Sequence, residues 1–115
     1  MINITFIQQD GQIGLKVTGH SESDEKGKDL VCASASMLAY TIAQYIDEAA
    51  QEGQLEEEPI IVLSSGDSII KCCPTISAYL DILHAFKVIQ VGYNLLAYNY
   101  PQFVALTMFG EGEQP

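Results

Sequence analysis

The chain has 115 residues with 15 acidic and 5 basic side chains, a formal charge of −10, and its basic residues are all lysine. That balance argues against a nucleic-acid partner, since phosphate recognition relies on arginine and lysine, and it favours encounter with basic polypeptides. The length suits one domain with a modest core, expected over residues 1–109, with a disordered acidic tail at 110–115.

No apolar run approaches the roughly 18 residues of a membrane span, and the first residues lack the basic region of a signal peptide. Three cysteines, an odd number, fit a reducing compartment. The expectation is a soluble cytoplasmic protein with no membrane partner.

In chain order, Ile2, Ile4 and Phe6 alternate with polar residues, Asp10-Gly11 supplies a turn, and Ile13, Leu15 and Val17 alternate beyond it. This pattern predicts a β-hairpin. Residues 21–28 are polar and charged, an exposed loop. A long helix is expected from Asp29 to about Glu52, with Leu38, Ile42, Tyr45 and Ala49 as its packing stripe and Gly53 as its stop. Glu56-Glu57-Glu58-Pro59 reads as a solvated connection.

The continuous apolar run Ile60–Leu63 predicts a well-buried strand, followed by a tight turn and a return strand over Ser68–Cys73 that Pro74 stops. Thr75 is placed to cap a second helix, which carries Ile82, Phe86, Ile89, Tyr93 and Leu96 on one face and ends before Pro101. Phe103–Phe109 completes the order β-β-α-β-β-α-β. The fold class is α+β, a small, mostly antiparallel sheet with both helices on one face. Its exposed edges make a homodimer plausible.

The chemistry-bearing residues lie on either side of the charged loop. His20 ends a strand, and Cys32 falls in the first turn of a helix, so the two side chains can converge. With Asp29 as N-cap, Cys32 takes the third helical position, where unpaired amides and the dipole favour a thiolate. His20 can act as its base and later protonate a leaving amine. Asp29, Cys32 and Ser36 share one helical face. Asp29 can orient His20 or simply cap the helix, and as an anion it opposes thiolate formation. Ser36 can bond the thiolate, the substrate or its own helix, and the Cys32 N–H is a candidate oxyanion donor.

These residues resemble the signature of the ribosomal-processing cysteine proteases called Prp. The pattern Gly-His, a loop, then Gly-x-Asp-[Ile/Leu]-Val-Cys-Ala-x-x-Ser is met by Gly19, His20, Gly27, Asp29, Leu30, Val31, Cys32, Ala33 and Ser36 without insertion or deletion. Tyr100-Pro101 before the last strand is also similar. The resemblance implies a cysteine endopeptidase with His20 as base and Cys32 as nucleophile, while Gly19, Gly27, Asp29 and Ser36 support the site.

It further implies a homodimer that removes the N-terminal extension of a large-subunit ribosomal protein after a hydrophobic, Phe-rich motif, with no cofactor. The loop Ser21-Glu22-Ser23-Asp24-Glu25-Lys26 departs from the small residues and Tyr usual in that family, which implies a drifted cleavage sequence. Two alternatives stand beside this one. The first is a prophage-type protease processing a capsid or scaffold precursor. The second is a non-catalytic module that binds a basic ribosomal or phage protein.

Other residues carry less. Cys72 and Cys73 are adjacent on a strand and point to opposite faces, so with His84 they do not make a metal site, and packing is the expected role of at least one of them. His84 reads as a structural or surface residue, and Tyr93, Tyr98 and Tyr100 as packing or interface residues. Ser64-Ser65-Gly66 lacks the pattern of a phosphate cradle.

Overall fold

The computed structural model describes residues 1–19, 28–64 and 66–109. The charged loop up to Gly27, the acidic tail and Ser65 of the expected turn lie outside them. The elements are β1 (Ile2–Gln9), β2 (Gln12–Thr18), α1 (Lys28–Gln51), β3 (Ile60–Ser64), β4 (Asp67–Cys72), α2 (Tyr79–Asn99) and β5 (Val104–Phe109), in the expected α+β order. They form one five-stranded sheet in the order β3-β4-β2-β1-β5. Three pairings are antiparallel, and β5 runs parallel to β1.

Local chemistry sets the chain reversals. Asp10 and Gly11 both have positive φ (55° and 79°), as a type I′ turn between right-twisted strands requires. Gly53 (φ 73°) ends α1 as predicted. Its N–H donates to the Ala50 carbonyl and that of Gln54 to the Ala49 carbonyl, a Schellman closure. At the start of α2 the outcome differs from expectation. The Thr75 hydroxyl accepts from the Ala78 N–H at 3.3 Å and so caps the turn before the helix, while Ala78 is the N-cap and makes no side-chain bond.

Both helices pack on the sheet face that carries Ile4, Phe6, Leu15 and Ile70. The α1 stripe is rotated from the predicted one. Val31, Ala35, Ala39, Ile42, Ile46 and Ala49 are buried, whereas Tyr45 is exposed. The small alanines let α1 approach the sheet, and Leu38 turns aside onto α2, where a Cβ on Gly92 would lie 2.7 Å from Leu38 Cδ2.

The run Ile60–Leu63 is also corrected. It forms an edge strand, with Ile60, Val62 and Leu63 exposed by 50%, 44% and 43%. A continuous apolar run signals two covered faces only when neighbours exist on both sides, and among the described residues β4 is its single neighbour in the sheet.

Cys72 is buried in the core, where burial first and the adjacent Cys73 second push its thiol from 9.0 up to about 12. The folded state therefore keeps a proton that the unfolded chain has released, so this group's contribution to stability is complete below about pH 9 and is lost as pH rises towards 12. Urea denaturation across that range is expected to show a decline that is shallower in Cys72→Val. Parallel curves for the two proteins would refute the assignment.

Candidate active site

Cys32, Ser36 and Tyr40 follow one another at helical steps of four along α1, which aligns them in a single row. The row faces the β3–β4 turn and the end of β2, and between them lies a cavity of about 230 Å³. Its wall includes Cys32, Ser36, Tyr40, Gly19, Asp67 and Ser68. The Cys32 side chain is half-buried and its thiol is free.

Gly19 is placed there by its backbone. Its φ is 84°, a Cβ would strike the Met1 carbonyl oxygen, and its N–H donates to the Gly66 carbonyl at 2.9 Å. Only glycine meets both demands. The end of β2 is thereby tied to the β3–β4 turn, and the chain leaves Gly19 at the cavity wall. Across the cavity the Ser68 hydroxyl donates to the Ser64 carbonyl at 3.3 Å.

The α1 backbone beside the cavity is fixed from α2. The Tyr93 hydroxyl donates to the Ala35 carbonyl at 2.8 Å, and its ring meets Phe6 edge-on at 5.9 Å. Burial pushes the Tyr93 phenol well above its ordinary range, so it remains a neutral donor at physiological pH.

Of the predicted site residues, Gly19, Cys32 and Ser36 line the one cavity. Asp29 is exposed in the first turn of α1 and does not line it. His20 and Gly27 lie outside the described residues.

Two local expectations change. Because α1 starts at Lys28, Asp29 is inside the helix rather than its N-cap, and Cys32 is the fifth residue. The orphan N–H groups are those of a helix's first four residues, so the fifth position makes the Cys32 N–H a less suited oxyanion donor than expected.

Tyr40, Ser64, Asp67 and Ser68 were missed. Tyr40 was legible as the next step of the Cys32–Ser36 row. The other three depend on β4 pairing with β3 and with β2, which sets Asp67 opposite Ser64 on one side and Thr18 on the other.

Among the described residues no cluster of His, Cys, Asp and Glu is arranged to hold a metal ion. His84 is exposed on α2, and Tyr98 is exposed while Tyr93 is a packing residue. Among the described residues no helix is long and apolar enough to cross a membrane.

The fold is shared with solved structures. SMU.848 from Streptococcus mutans is 26% identical with a TM-score of 0.69, the match covering 96% of this chain and 95% of that one. The ribosomal processing protease Prp from S. aureus has been solved with a substrate peptide and with a covalently linked product peptide. These two are 18% and 20% identical, each with a TM-score of 0.68 and coverage of 95% of this chain and 100% of theirs. No curated protein matches the chain significantly. The family model of the cysteine protease Prp matches residues 1–105, nearly the whole chain, and by that match the chain belongs to the Prp family of cysteine proteases.

Proposed function

We propose that this protein removes the N-terminal extension of a large-subunit ribosomal protein, with Cys32 as nucleophile and His20 as general base. The observation that carries the reading is the half-buried, free Cys32 thiol on the wall of a cavity that is also lined by Gly19, the residue before His20 in sequence. The S. aureus structure with a covalently linked product peptide supports covalent chemistry in a protein of this fold.

In the proposed reaction His20 takes the Cys32 proton, and the sulfur attacks the scissile carbonyl carbon. The resulting oxyanion collapses as the C–N bond breaks, and His20 returns the proton to the leaving amine. Water, deprotonated by His20, then hydrolyses the thioester and restores the thiol. The Ser36 hydroxyl, one turn beyond Cys32 on the cavity wall, is the side-chain donor suited to the oxyanion. Asp29 and Gly27 support the His20 and Cys32 segments, and Gly19 sets the start of the first. No cofactor enters these steps. The chain acts as a cytoplasmic homodimer, with residues 1–109 as the catalytic domain and 110–115 as an acidic tail.

The test is mass spectrometry after incubation with a ribosomal-protein N-terminal extension, using Cys32→Ala as control. Cleavage at a hydrophobic motif, absent in the control, is expected. An intact extension at high enzyme concentration would overturn the substrate assignment.

A further inference from the structure

Among the described residues the β3 strand has an open edge, with β4 as its single partner in the sheet. Ser64 and Asp67 pair across a two-residue connection, so they form the hydrogen-bonded pair that closes it. Alternation from there puts Val62 and Ile60 in the ladder with β4 and turns the N–H and C=O groups of Ile61 and Leu63 outward.

The side chains of the same two residues face α1. With Tyr40, Ala43 and Asp47 they line a groove of about 370 Å³. Tyr40 also lines the Cys32 cavity, so groove and cavity are neighbours on either side of its ring. The charged residues on their walls, among those described, are Asp47 and Asp67, with no basic counterpart.

Open backbone groups beside an apolar groove next to the Cys32 cavity are what an extended peptide needs in order to bind by adding a strand. We infer that the substrate polypeptide pairs with the outward backbone groups of Ile61 and Leu63 and seats an apolar side chain between Tyr40, Ala43, Ile61 and Leu63. Asp47 and Asp67 favour basic residues beside it. This rests on the proposed role of Cys32.

Spacing locates the subsite. From Cys32 to Tyr40 and Ala43 the rise along α1 is about 12 and 16 Å, which an extended peptide covers in about four to five residues. The seated side chain therefore lies about that far from the scissile bond.

Hydrogen exchange on full-length Cys32→Ala, with and without a synthetic peptide spanning the cleavage motif of the ribosomal-protein extension, tests this directly. Saturating peptide is expected to slow exchange of the Ile61 and Leu63 amides at least about tenfold, while Val62, already in the ladder, is unchanged. As a second reading, Leu63→Pro removes an outward N–H and no ladder bond. It is expected to lower kcat/KM about tenfold for that peptide and to leave unchanged a peptide cut back to three residues before the scissile bond.

Peptide that fails to bind, or that binds without protecting Ile61 and Leu63, overturns the inference. So does protection that precedes peptide and grows with protein concentration, which would assign the edge to a second copy of this chain. Protection of both amides with no cleavage by the wild-type protein would uphold the edge site and refute the proposed reaction.

Discussion

Replacing Cys32 with alanine is expected to lower the rate of peptide cleavage by at least about ten-thousandfold, the usual consequence of removing a covalent nucleophile. His20→Ala is expected to cost about a hundred- to ten-thousandfold, the range of general acid–base catalysis. The two losses should not multiply in the double variant, because a base has nothing to activate once the thiol is gone. Initial rates on the extension peptide give all three numbers.

Cys32 is only half-buried at the cavity wall, so its substitution opens no core cavity, and the thermal transition should move little. Loss of activity with an unchanged transition isolates chemistry from folding. A Cys32→Ala protein that still cuts at a tenth of the wild-type rate would end the nucleophile assignment.

The second large effect is structural. Tyr93→Ala is expected to destabilise the fold by about 3–5 kcal/mol, the cost of deleting a buried aromatic ring, which is a large part of the stability of an ordinary domain. The ring is fully enclosed, touches Phe6 of β1 edge-on and reaches α1 through Ala35. One side chain thus joins the sheet to both helices.

Tyr93→Phe keeps the ring and is expected to cost about 1 kcal/mol, the net worth of one hydrogen bond. The difference between the variants, read by urea denaturation, separates packing from the hydroxyl. Its raised phenol adds a pH signature of known sign. The unfolded chain loses this proton near pH 10 while the folded state retains it, so the contribution falls as pH rises past that point and is absent in Tyr93→Phe.

Much of the fold was legible because short-range chemistry sets it. Asp10-Gly11 and Gly53 adopt the positive φ that their turns demand, and the α2 residues Ile82, Phe86, Ile89, Tyr93 and Leu96 are buried as their spacing required. What failed depended on neighbours distant in sequence. Ile60–Leu63 looks like a central strand until the sheet order leaves it at an edge. Tyr45 fits a one-sided stripe, but α1 also packs on α2, which rotates the buried face towards its alanines.

The site divides in the same way. Cys32, Ser36 and Gly19 were found from spacing and from the resemblance to Prp, and they meet at one cavity. Asp67 and Ser68 reach it only through strand pairing between β2 and β4, which no local pattern announces. The fifth position of Cys32 in α1 also bears on the activation proposed for it. The helix-end field fades within the first turn, so in the proposed reaction the imidazole of His20 is expected to carry more of the task than the helix start.

That division makes thiol reactivity the most direct measurement of the central claim. Alkylation of Cys32, Cys72 and Cys73 by iodoacetamide, followed by mass spectrometry across mildly acidic to neutral pH, compares the three thiols within one protein. The account predicts that Cys32 reacts fastest at mildly acidic pH, that buried Cys72 is last, and that the Cys32 advantage disappears in His20→Ala. A Cys32 that reacts no faster than Cys73, or that keeps its advantage without His20, would contradict the activated pair.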